Sequence, residues 1–72
     1  MNTYHVIVKS TETDETVTDF TINCKLGYLV AYTKKKLLMS GYTYYNISKD
    51  LYMIVYINEK NGESDNKITS MI

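Results

Sequence analysis

The chain has no proline, no tryptophan and no arginine, and it holds a single cysteine, a single histidine and a single phenylalanine in 72 residues. One cysteine, Cys24, allows no internal disulfide and no cysteine-rich metal site. One histidine, His5, gives no cluster from which a metal centre or a general-base constellation is built. The three glycines, Gly27, Gly41 and Gly62, stand apart, so there is no glycine-rich phosphate loop. No apolar run approaches the roughly 20 residues of a membrane-spanning helix. The start, MNTYHVIVKS, lacks the basic and apolar regions of a signal peptide. These absences lead to the expectation of a cytoplasmic, non-catalytic protein with no cofactor, no metal and no membrane partner.

What is present is a globular composition, 44% hydrophobic and 22% charged, in a length that allows one domain with one modest core. The net charge is zero but unevenly spread. Residues 1–24 carry −3, residues 25–49 carry +5 and residues 50–72 carry −2. Every basic residue is lysine. The mixture of Lys, Asn, Ile and Tyr is that of an AT-rich genome, which points to a low-GC bacterium, its phages or its plasmids.

The segment 26–41, LGYLVAYTKKKLLMSG, has the clearest helical periodicity. Leu26, Leu29, Val30, Thr33, Leu37 and Leu38 fall on one helical face. Asn23 is the better candidate for the N-cap. Gly41 is placed to close the C-terminus in the left-handed conformation. Lys34, Lys35 and Lys36 lie mostly off the apolar face, near the negative end of the helix dipole.

Strands are expected on both sides. In residues 3–9, Tyr4, Val6 and Val8 alternate with His5, Ile7 and Lys9. In residues 16–24, Thr18, Phe20, Ile22 and Cys24 alternate with Val17, Asp19, Thr21 and Asn23. The polar turn between them makes the pair an antiparallel hairpin. The run 42–48, YTYYNIS, counts as a further strand, with Lys49-Asp50 as a tight turn. Residues 51–58, LYMIVYIN, are apolar on both faces: Leu51, Met53, Val55 and Ile57 on one, Tyr52, Ile54 and Tyr56 on the other. Asn61-Gly62 is a hairpin dipeptide, and residues 67–72 form either a short last strand or a frayed end. The expected fold is α+β: one antiparallel sheet of four or five strands in the order β-β-α-β-β, with the tail as the extra strand and one helix on one face.

One helix covers one face of a sheet. Ile7, Tyr52, Ile54 and Tyr56, with Tyr45 as a further member, are therefore left on the other, and an uncovered apolar patch marks an interaction surface. The eight tyrosines fit that role, because tyrosine combines contact area with a polar tip. The expected function is a protein-binding module, a small accessory or inhibitor protein of phage or mobile-element type. It would act as a homodimer or by occluding a partner. The alternative is a nucleic-acid-binding protein that uses Lys34, Lys35 and Lys36 with nearby tyrosines; zero net charge and the lack of arginine count against it. His5 reads as a strand surface residue and Cys24 as a small inward hydrophobe. Glu12, Asp14, Glu15 and Asp19 read as a solvated acidic turn, or as a contact for a basic partner.

Overall fold

The computed structural model describes residues 1–60, 63 and 66–72. It contains β1 (Asn2–Ser10), β2 (Thr16–Cys24), α1 (Leu26–Met39), α2 (Tyr44–Asp50), β3 (Leu51–Ile57) and β4 (Asn66–Met71). The strands form one open antiparallel sheet in the order β2-β1-β3-β4. β1 and β3 are central. β2 and β3 each run antiparallel to β1, so they are parallel to one another, and the two helices make the crossover between them.

Alternation sorts the strands as the sequence leads one to expect. Tyr4, Val6, Val8, Leu51, Met53 and Val55 are buried under the helices with Leu29, Leu37 and Ile47. Phe20, Ile22, Cys24, Ile57 and Ile68 pack around them, half-buried. Cys24 is thus one of the packing side chains at the end of β2. Val17 is an exception. The register shifts between Val8 and Lys9, which pair with Thr18 and Thr16. Val17 is the extra residue of this bulge and packs on the core instead of joining the opposite face.

The expectation of a single helix needs correction. Residues 44–50 are helical, not extended, and Lys49-Asp50 ends α2 rather than forming a tight turn. Thr43 makes the helix start: its side chain accepts from the Asn46 backbone N–H at 3.1 Å and donates to Asn46 Oδ1 at 2.6 Å. Ile47 then drives α2 onto the sheet, being 1% exposed.

Two details of α1 also differ. Its N-cap is Lys25, with no side-chain capping bond. Asn23 stays in β2 and donates to Thr3 Oγ1. The buried line is Leu29, Thr33 and Leu37, whereas Leu26 and Val30 are 58% and 40% exposed. Thr33 is buried without penalty because its hydroxyl donates to the Leu29 carbonyl at 2.9 Å. The C-terminus closes as expected. Gly41 has φ 99°, Gly41 N–H bonds the Leu38 carbonyl and Tyr42 N–H bonds the Leu37 carbonyl. That is the Schellman arrangement, and it turns Tyr42 inward against the core. The tail is a strand: β4 pairs with β3 from Tyr52↔Met71 to Ile57↔Asn66. The dipeptide Asn61-Gly62 lies outside the described residues.

Candidate interaction surface

Both helices lie on the same side of the sheet, since Leu29, Leu37 and Ile47 share one core. The other side has no covering element among the described residues. Strand register lays it out in rows that run from the β2 edge to the β4 edge. Asp19, Ile7, Ile54 and Thr69 form the middle row. Thr21, His5, Tyr56 and Lys67 form the row on one side. Thr16, Lys9, Tyr52 and Met71 form the row on the other. The four residues expected at an interface, Ile7, Tyr52, Ile54 and Tyr56, are therefore contiguous. Each is half-buried by its neighbours. Met71, 53% exposed, extends the patch. Tyr45 does not belong to it: it lies on α2, exposed, with its hydroxyl bonded to Lys49 Nζ.

Polar groups frame the apolar centre. His5 Nε2 lies 2.6 Å from Asp19 Oδ1, and Nδ1 lies 3.1 Å from Glu59 Oε1. Its ring also meets the Tyr56 ring, with centroids 5.8 Å apart. Partial burial lowers the imidazole pKa, but the hydrogen bond and charge of Asp19, and then those of Glu59, outweigh it and leave it above the ordinary value of 6.5. The Tyr52 hydroxyl donates to Asp14, and this bond, with a smaller contribution from burial, holds the phenol above its ordinary pKa of 10.0. Asp14 reaches Tyr52 from a left-handed backbone conformation, φ 62°, which aspartate tolerates better than most residues. At the other edge the Lys67 ammonium lies 5.7 Å from the Tyr56 ring centroid. Two of the four residues in the acidic turn region are thus engaged with the sheet face. On this face Asp19 stands on the β2 edge and Lys67 on the β4 edge.

The partners of His5 were not equally hidden in the sequence. Asp19 is a diagonal neighbour of His5 once the hairpin register is drawn. Glu59, more than fifty residues away, sends no local signal. The lysine run is also resolved by geometry. Three consecutive helical residues fan through about 200°, so Lys34, Lys35 and Lys36 share no single face. Lys35 is exposed, and the Lys36 ammonium lies 5.2 Å from the Phe20 ring centroid.

No group of three or more His, Cys, Asp or Glu side chains among the described residues is arranged to hold a metal ion. No helix among them is long and apolar enough to cross a membrane. Comparison with known proteins gives no match: no family model fits the chain, and no curated protein or solved structure is significantly similar to it.

Proposed function

We propose that this chain is a small non-catalytic protein-binding module that acts by covering a partner with the open face of its sheet, and that a second copy of the chain is the partner it meets first. The observation that carries this reading is the contiguous patch of Ile7, Ile54, Tyr52 and Tyr56 on a face that neither helix covers.

Size and charge support it. The molecule measures 32 × 23 × 16 Å, so its broad face is close to the roughly 800 Å² that each partner contributes to a standard interface. The charges are self-complementary. A two-fold axis parallel to the strands lays the β2 edge of one copy over the β4 edge of the other. Asp19 of each copy then lies toward Lys67 of its mate. A 72-residue domain without disulfide or metal staples also gains stability from such association.

The test is the solution mass by light scattering after size exclusion, at low and high concentration. Wild type should have the mass of a dimer. Ile54→Asp puts a charge at the centre of the patch and should give a monomer with an unchanged circular dichroism spectrum. A wild-type monomer at every concentration, or a folded Ile54→Asp variant that keeps the dimer mass, overturns the reading.

A further inference from the structure

The two edges of the sheet are unequal. β4 is the shorter, and Lys67 sits in it. β2 spans nine residues and, among the described residues, pairs only with β1. From Thr18 to Cys24 its register is unbroken, and it contains neither proline nor lysine, which are the usual guards of an edge. Its single charge, Asp19, points to the open face and is held by His5. Among the described residues, the outer row of backbone donors and acceptors along β2 therefore faces no partner strand.

A second feature lies over the same edge, on the helix side. The Phe20 ring of β2 meets the Tyr32 ring of α1 at 5.5 Å between centroids, and Lys36 reaches over the same ring. Tyr32 and Lys36, together with Lys35, Met39 and Ser40, line a half-open cavity of about 490 Å³; its walls belong to α1 and its C-cap, and β2 adjoins it through the contacts of Phe20 with Tyr32 and Lys36. Tyr32 is 40% exposed and Met39 79% exposed. α1 contains no acidic residue, and neither Lys35 nor Lys36 makes an ion pair among the described residues.

We propose that the β2 edge and this cavity form one site for an extended acidic peptide segment of a partner protein. The segment adds to the sheet as a fifth strand beside β2. Its main chain pairs with the free backbone groups of Thr18–Cys24. Because side chains alternate along a strand, every second one faces the helix side and enters the region of the cavity. Backbone pairing supplies affinity and the cavity supplies selectivity. The lining defines the chemistry it selects: Lys35 and Lys36 attract a carboxylate, while Tyr32 and Met39 offer apolar contact to its stem or to a neighbouring side chain. The site lies at the edge of the slab, so it leaves the open face free and does not depend on that face being an interface.

The test uses the full chain, labelled with nitrogen-15, and a fluorescent nine-residue peptide of alternating valine and glutamate, matched to the length of β2. A valine–lysine peptide of the same length is the control. The valine–glutamate peptide should bind saturably and should slow hydrogen exchange at alternate amides between Thr18 and Cys24. The valine–lysine peptide should bind at least about tenfold more weakly, because it sets like charges against Lys35 and Lys36. The double variant Lys35→Glu, Lys36→Glu, checked for fold by circular dichroism, should lose a similar factor for the acidic peptide. Several outcomes overturn the proposal: no saturable binding, equal binding of the two peptides, or binding without protection in β2. A chain whose β2 amides are already protected in a dimer assigns the edge to a second copy instead. A thymidine oligonucleotide that needs the same lysines and displaces the acidic peptide, with no β2 protection from either, assigns the surface to nucleic acid.

Discussion

A neutral imidazole has one N–H and donates to one carboxylate; only the imidazolium serves two. His5 stands between Asp19 and Glu59, one at each ring nitrogen, so its protonated form ties β1 to β2 and to the segment that follows β3. The folded-state pKa is raised, so the stabilisation is fully present below the unfolded value of about 6.5 and is lost as pH rises through the folded value. Wild type should therefore lose thermal stability relative to His5→Gln as pH rises through that window. The His5 ring signals should titrate with a midpoint above 6.5 by NMR. Equal pH dependence of the two proteins would show that the clamp contributes nothing. Lone histidines carry little signal in a sequence, and here the chemistry is supplied by a neighbour 14 residues away and another 54 residues away.

At the scale of elements, α2 is the one that periodicity misses. Seven residues make too short a window, and three tyrosines in residues 42–45 favour a strand by propensity. The signal that was available is a cap: Thr43 followed three residues later by Asn46. Thr43→Ala should cost about 1 kcal/mol. Ile47→Ala should cost about 2–5 kcal/mol, since it removes the side chain that seats α2 on β3. On α1, periodicity reports the direction of the buried face but not its width. Leu29→Ala should cost about 2–5 kcal/mol, whereas Leu26→Ser, at a position 58% exposed, should change stability by less than about 0.5 kcal/mol. Urea midpoints for these four variants separate the observed packing from the wider face that the sequence suggests.

The molecule is a slab with both helices on one side of the sheet and, among the described residues, no covering element on the other. If two copies meet through that sheet with the strand-parallel axis, Asp19 and Lys67 attract across the interface at both ends. Lys67→Glu should then raise the dimer dissociation constant several-fold by analytical ultracentrifugation. Added salt should weaken the wild-type dimer, with a Debye length of about 10 Å at 0.1 M, and should narrow the gap between wild type and variant. A variant with wild-type affinity and no salt response would place the axis elsewhere. The slab has a second consequence. Its faces and its edges are separate surfaces, so the proposed sheet-face association and the proposed strand addition at β2 draw on different groups.

Alternation by two was enough to determine the β1–β2 hairpin, to sort Tyr4, Val6 and Val8 from His5 and Ile7, and to place Tyr52, Ile54 and Tyr56 on an uncovered face. A side chain's direction along a strand depends on its immediate neighbours, so it is written locally. The same holds for the Gly41 cap, where one residue must take a positive φ. Packing between distant segments fixed residues 44–50 as a helix, left Leu26 and Val30 outside, and turned Val17 inward at a bulge. It alone joined His5 to Glu59, Tyr52 to Asp14, and Phe20 to Tyr32 and Lys36. Each of these depends on which distant segment lies alongside, and strand order β2-β1-β3-β4 is a global outcome of closing one core between the sheet and two helices.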